Sequence, residues 1–207
     1  MANLEVSKLE DNDWINILKL IKKGKCTPFI GAGVCAGILP MARDIANEWA
    51  KEYNYPLKDS DDLPRVAQFV AIEQYDMFPK EEIVDQFEGV SPPDFSQADD
   101  PHSALASLPL SIYITTNYDN FMVQALKQHN KDPVRDFCTW NKYLEDLRKS
   151  DSSSSSSFIN YMQYSPNTVH PLVYHLHGRT DIPQSMVVTE SDYLDFLIHM
   201  VKIMAAE

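Results

Sequence analysis

Three apolar runs in this chain each end in a polar or glycine-rich turn. Pro28-Phe29-Ile30 leads into Gly31-Ala32-Gly33, Ile112-Tyr113-Ile114 into Thr115-Thr116-Asn117-Tyr118-Asp119, and Leu172-Val173-Tyr174-His175-Leu176 into His177-Gly178. Short runs of this kind suit strands covered on both faces. Open parallel sheets bind their ligands outside the carboxyl ends of the strands, so the three turns are expected to meet at one mouth.

The segments between the runs read as helices. Asp11, Asn12 and Asp13 offer caps for a helix carrying Trp14, Ile17, Leu18 and Ile21 on one face, with Gly24 beyond its end. Ile45, Trp49 and Tyr53 repeat at helical spacing over Ala42 to Tyr53. Val66, Phe69 and Val70 do so over Leu63 to Tyr75, and Ile83, Val84 and Phe87 over Pro79 to Phe87. This last pair is read as a helical insertion, about residues 54–90, covering a cleft. Pro101 opens a short helix through Leu108, and Asn120 to His129 reads as a helix after the Ile112 to Thr115 strand. Met186 to Val188 reads as a further strand, and Thr189 as the cap of a final helix with Tyr193, Leu194, Leu197 and Val201. The serine tract Ser152 to Ser157 has nothing apolar to bury and is expected to be a mobile loop, about 150–158. Strands alternating with helices predict an α/β fold with a Rossmann-like, mainly parallel sheet of about five strands.

A chain of 207 residues that is 44% hydrophobic can bury one good core. A net charge of −12 argues against a bulk nucleic-acid or anionic-membrane surface. Cys26, Cys35 and Cys138 form no CxxC pair, which leaves neither a disulfide framework nor a four-cysteine zinc site. The opening residues mix charges of both signs, and no apolar stretch reaches transmembrane length. The expectation is a soluble, cytoplasmic protein that binds neither nucleic acid nor membrane.

Each turn taken alone has a plain reading. Gly31-Ala32-Gly33 could be only a tight turn, since Ala36 stands where a G-x-G-x-x-G fingerprint wants its third glycine. Gly24-Lys25 is no phosphate loop, because Lys19 replaces the required first glycine. Asn117 and Asp119 could cap the next helix. His177 could be a structural strand-end residue, and His170, His175 and His177 invite a metal reading that lacks a good third ligand. Cys35 reads as a small buried filler. Together, a glycine turn open to a pyrophosphate, an amide, a carboxylate and an imidazole suit a dinucleotide attacked at its ribose bond.

In this order the three turns resemble the sirtuin superfamily, whose motifs are a G-A-G turn, a T-Q-N-x-D strand end and an H-G pair. More narrowly the chain is similar to the sirtuin-like NAD hydrolase domains of bacterial anti-phage effectors. Those read T-T-N-Y-D and follow the H-G pair with a segment like Val187-Val188-Thr189-Glu190-Ser191-Asp192-Tyr193. The paired zinc cysteines of protein deacylases are missing, which implies no zinc module and no metal.

The resemblance implies an NAD+ glycohydrolase that cleaves the nicotinamide–ribose bond and depletes NAD during infection. NAD would contact Gly31, Ala32, Gly33, Val34, Thr116, Asn117, Asp119 and His177. Asn117 would hold the ribose or the attacking water, Asp119 the nicotinamide amide, and His177 would be the base. The glycine turn would receive the pyrophosphate at a helix N-terminus. The resemblance also implies homo-oligomers, tetrameric or larger, and a C-terminal sensor domain or a separate activator. The glycine-rich segment for the adenosine end is not found after the Tyr193 helix. Residues 1–207 are therefore expected to be one domain at the N-terminal end of a longer chain, binding NAD weakly alone. Two other readings stay open: a catalytically silent nucleotide-binding or oligomerisation module, and a sirtuin-type deacylase or ADP-ribosyl transferase.

Overall fold

A computed structural model describes residues 9–97, 99–150, 159 and 163–205. Four parallel strands form one sheet in the order β1 (Phe29–Ile30), β2 (Ile112–Thr115), β4 (Leu172–His175), β3 (Val134–Phe137). Ile30 pairs with Thr115, Thr115 with His175, and His175 with Phe137, so one register line crosses the whole sheet at its carboxyl edge. The ladder runs one step further, with Thr116 N–H donating to the Ile30 carbonyl at 2.9 Å and Leu176 N–H to that of Thr115 at 2.7 Å. All three turns therefore leave the sheet from neighbouring strands at one level.

Helices cover both faces, as a parallel sheet requires. On one side α5 (Pro101–Ser107) and α6 (Phe121–Gln128) bury Ala106, Phe121, Met122 and Leu126 with Ile30, Tyr113 and Val173 of the strands. On the other, Leu144 of α7 (Lys142–Ser150) and Phe196 of α8 (Glu190–Ala205) close over Phe137 and Tyr174. A third cluster joins α2 (Ala42–Glu52), α3 (Leu63–Glu73) and α4 (Phe78–Phe87) through Trp49, Val66, Val70 and Ile83. The first helix, α1 (Asp11–Lys22), forms at the expected spacing but is capped by Glu10 rather than by Asp11 or Asn12, with Asp13 returning the bond to Glu10 N–H. It buries no residue fully: Ile21 rests against the first core cluster, and Trp14 and Leu18 are 51% and 52% exposed. No helix among the described residues is long and apolar enough to cross a membrane. The tract Ser152 to Ser157, expected to be mobile, lies outside the described residues.

Two expectations about strands need correction. Met186 to Val188 is not a strand: it is a buried, irregular segment threading between two clusters, with Met186 and Val188 in one and Val187 in the other. Its alternation is real, but its partners are single groups. Val187 N–H donates to the His177 carbonyl at 2.9 Å, and the Tyr118 hydroxyl donates to the Val187 carbonyl at 2.7 Å. Conversely, Val134–Phe137 is a strand whose two charged residues concealed it. Asp136 is fully buried and accepts from Arg148 Nη2 at 2.8 Å, while Arg135 pairs with Asp181 at 2.7 Å. Paired in this way, a carboxylate can be buried at acceptable cost.

The helical layer is tied to the end of the chain by a buried ion pair. Lys80 Nζ of α4 lies 2.9 Å from Asp192 Oδ1 of α8 and 5.4 Å from the centroid of the Trp140 ring. The second oxygen of Asp192 accepts from Val188 and Thr189 N–H, each at 3.0 Å, and Thr189 Oγ1 accepts from Asp192 N–H at 3.2 Å. This is a reciprocal cap of the kind the Thr189 reading expected.

Candidate active site

The carboxyl ends of β1, β2 and β4 open into a cavity of about 220 Å³. Ala32, Cys35, Thr116, Asn117, Asp119 and His177 line its polar end, and Met41, just before α2, joins Ile45, Leu63, Ile83 and Phe87 of α2, α3 and α4 in an apolar wall. The structure thus brings five of the eight expected contact residues to one surface. Gly31 and Gly33 flank Ala32 in the same turn, whereas Val34 turns away and packs against the first core cluster.

The glycine turn differs from its expected form. Ala32–Cys35 is a single 3₁₀ turn, and the next α-helix starts only at Ala42, so no α-helix N-terminus faces the cavity directly after β1. Gly31 is extended, at φ −123°, and its carbonyl accepts from Asn117 Nδ2 at 3.3 Å. A Cβ on Gly33 would meet nothing within 4 Å. Neither backbone strain nor internal packing requires glycine there, and the space beside it is open to a ligand.

Asn117 is held from several sides. Its N–H donates to Thr115 Oγ1 at 3.0 Å, and its carbonyl lies 3.0 Å from the ring Nδ1 of His175. Its side-chain amide donates to the Gly31 carbonyl and, at 3.4 Å, to Cys35 Sγ. Among the described residues no hydrogen bond engages Asn117 Oδ1. Asp119 does cap locally: Oδ1 accepts from Phe121 N–H at 2.9 Å, and Oδ2 accepts from the Cys35 thiol at 3.4 Å. It is nonetheless part of the cavity wall.

His177 stands on the opposite lip. Its ring is packed edge-to-face between Tyr193, at 5.4 Å, and Phe196, at 5.2 Å. Burial lowers its pKa below the usual 6.5, so the imidazole is neutral at pH 7. Gly178 follows with φ +82°, the left-handed turn that swings the chain away beneath Ser185.

His175 behaves differently from His177. It is 1% exposed, and Nε2 has no partner among the described residues. Burial, aided by the positive charges of Arg135 and Arg179, pushes it down to about 4 in spite of the Asn117 carbonyl. The unfolded chain takes up this proton below about 6.5 and the folded chain only near 4. Stability is therefore full above pH 6.5 and falls by roughly 3 kcal/mol as the pH drops through that interval. Urea unfolding at pH 7 and pH 4.5 checks this, and in His175→Gln that part of the pH dependence should vanish.

Sequence reasoning missed His102, which comes from α5 to stand 3.8 Å from Cys35 Sγ. Cys35, His102 and Asp119 have ligand atoms within 4.8 Å of one another, whereas the histidine group considered from the sequence forms no such cluster among the described residues. The only hint was positional: His102 lies in the helix that feeds β2. The apolar wall was also not assignable, because helical periodicity shows which residues are buried but not which of them border a cavity.

Residues 111–206 match the family model of the SIR2-like domain. Over 193 residues the sequence is 24% identical to a protein of Acinetobacter baumannii (strain 532279) named NAD(+) hydrolase ThsA, covering 92% of this chain and 35% of that protein. Over 178 residues it is 28% identical to a protein of Enterococcus faecium of the same name, covering 84% of this chain and 32% of that one. The chain spans about a third of the length of these relatives. The matched stretch begins one residue before β2 and contains both Asn117 and His177. This match, set beside a parallel sheet whose T-T-N-Y-D and H-G turns border one cavity, makes the chain similar to the SIR2-like domain over residues 111–206.

Proposed function

We propose that this protein is an NAD+ glycohydrolase, cleaving the bond between nicotinamide and ribose and depleting NAD in anti-phage defence. The observation that carries the reading is a single cavity bordered by Asn117, Asp119 and a neutral His177. Its volume is below the roughly 300–1,000 Å³ of sites that enclose drug-sized ligands, so it takes one end of a dinucleotide. That end is nicotinamide and its ribose. The apolar wall suits the uncharged ring that leaves, and Asp119 is set to accept from the carboxamide.

Bond cleavage leaves an oxocarbenium-like ribose and neutral nicotinamide. Water then adds to C1′, and its proton passes to His177, giving ADP-ribose, nicotinamide and one proton overall. Asn117 Oδ1 holds the water or a ribose hydroxyl, and orientation of this kind supplies much of the barrier lowering. The open space beside Gly33, together with Gly31 and Ala32, accommodates the pyrophosphate through backbone N–H groups. No step calls for a metal ion. We further propose that residues 1–207 act as one NAD-binding domain with helices over the cleft, in the cytoplasm, under a sensor domain or partner. Assembly of several copies is supported by Leu194, Leu197 and Val201, which lie exposed along α8.

Two measurements test the reading. Incubation with NAD should yield nicotinamide and ADP-ribose in equal amounts without any acyl-lysine peptide; turnover only when such a peptide is supplied would make the protein a deacylase. Gly33→Ala should leave unfolding free energy within about 0.5 kcal/mol of the parent, since its Cβ meets no protein atom within 4 Å. The same change should weaken NAD binding about tenfold or more by intruding on the ligand. Unchanged affinity would place the pyrophosphate elsewhere.

A further inference from the structure

Cys35 lines the cavity and lies at the centre of a polar cluster in its wall. Its Sγ donates to Asp119 Oδ2 and accepts from Asn117 Nδ2, each at 3.4 Å, and is 3.8 Å from His102 Nε2. Across the His102 ring, Nδ1 stands 3.7 Å from Asp100 Oδ2, and the other Asp100 oxygen caps α5 by accepting from Ser103 N–H at 2.7 Å. His102 is 1% exposed and is held edge-on by Phe95 and Phe121, each 6.0 Å away between ring centres. One thiol thus touches two of the three side chains assigned to the reaction.

An asparagine amide can be turned over at little cost unless its neighbours distinguish N–H₂ from oxygen. Here both amide protons face acceptors, the Gly31 carbonyl and the Cys35 sulfur, which leaves Oδ1 for the cavity. Burial and the Asp119 charge raise the thiol far above its usual pKa, so it stays protonated, is no nucleophile, and remains a donor to Asp119. His102, flanked by two aromatic rings and with Asp100 3.7 Å from its far nitrogen, faces the sulfur and so completes the cluster around it.

We propose that Cys35 and His102 are positioning residues for NAD cleavage, fixing the orientation of the Asn117 amide and the Asp119 carboxylate. This rests on the NAD-cleaving reading of the cavity. The same three ligand atoms are close enough to hold a divalent ion, but the thiol already has a donor and an acceptor role filled, and metal content separates the two arrangements.

The test uses the intact protein with Cys35→Ala, Cys35→Ser and His102→Leu. Loss of positioning should lower kcat for nicotinamide release about 10- to 100-fold in Cys35→Ala and His102→Leu, with KM changed less than about threefold. Cys35→Ser, which can still donate and accept, should recover most of the rate. A second readout needs no turnover: the Asn117 side-chain amide, followed by ¹⁵N NMR, should exchange slowly with solvent in the parent and in Cys35→Ser, and measurably faster in Cys35→Ala. Parental kcat together with unchanged amide exchange in Cys35→Ala would overturn the proposal. So would one zinc ion per chain, bound with loss of the amide signal's dependence on residue 35. A parent that releases no nicotinamide would instead refute the NAD-cleaving reading, and amide exchange would still decide the positioning role.

Discussion

On the proposed mechanism, replacing His177 with alanine should lower nicotinamide release by roughly 10²- to 10⁴-fold, the usual worth of a general base, while the protein stays folded. The ring is only partly buried, and its neighbours Tyr193 and Phe196 remain anchored in α8. Because burial depresses the His177 pKa, the imidazole proposed as the base is already deprotonated at pH 7. The rate of the parent should therefore hold through neutral pH and fall only on the acid side of the usual histidine value. That acid limb should disappear in His177→Ala. Rate against pH, with circular dichroism to confirm folding, checks both parts, and a folded variant with parental turnover would remove His177 from the chemistry.

Gly178→Ala should cost at least about 4 kcal/mol, in the range reserved for substitutions that the fold cannot absorb. Two independent causes act together. The residue has φ +82°, where a side chain is strained, and a Cβ would fall 2.1 Å from the Ser185 carbonyl oxygen and 2.2 Å from its carbon. These are backbone atoms, and that carbonyl also accepts from Trp140 Nε1 at 2.7 Å, so it cannot step aside freely. Denaturant unfolding should show the loss. Gly33→Ala, with its open surroundings, serves as the contrast: the fold requires Gly178, whereas only the proposed pyrophosphate contact would require Gly33. A Gly178→Ala protein as stable as the parent would mean that the turn beneath Ser185 is looser than its geometry indicates.

The meeting of the turns at one cavity was legible because they sit where sequence signals are strongest, at abrupt ends of apolar runs. Asn117 and His177 follow such ends, and parallel pairing then leaves little choice about where they go. The strand Val134–Phe137 was not legible, because Arg135 and Asp136 break the apolar pattern. Their compensation by Asp181 and Arg148 is a tertiary fact that no local window contains. Met186 to Val188 failed for the converse reason, since burial from two sides imposes a period of two without a strand ladder. The polar surroundings of Cys35 were not legible because its partners are 67, 82 and 84 residues away in sequence. The G-A-G turn leaves β1 at the cavity, which Ala32 lines, but neither its 3₁₀ form nor the loop through Gly37, at φ +82°, that delays α2 to Ala42 has a local sequence signal.

The central claim is that this cavity breaks the nicotinamide–ribose bond with Asn117 in place. Its most direct measurement is a single-turnover experiment, with the intact protein in excess over NAD, comparing the parent with Asn117→Ala at matched occupancy of bound NAD. The parent should convert bound NAD to nicotinamide and ADP-ribose, and Asn117→Ala should hold NAD and return it intact, slower by about 10²-fold or more. A parent that binds NAD and releases it unchanged, or an Asn117→Ala protein that cleaves at the parental rate, would contradict the claim.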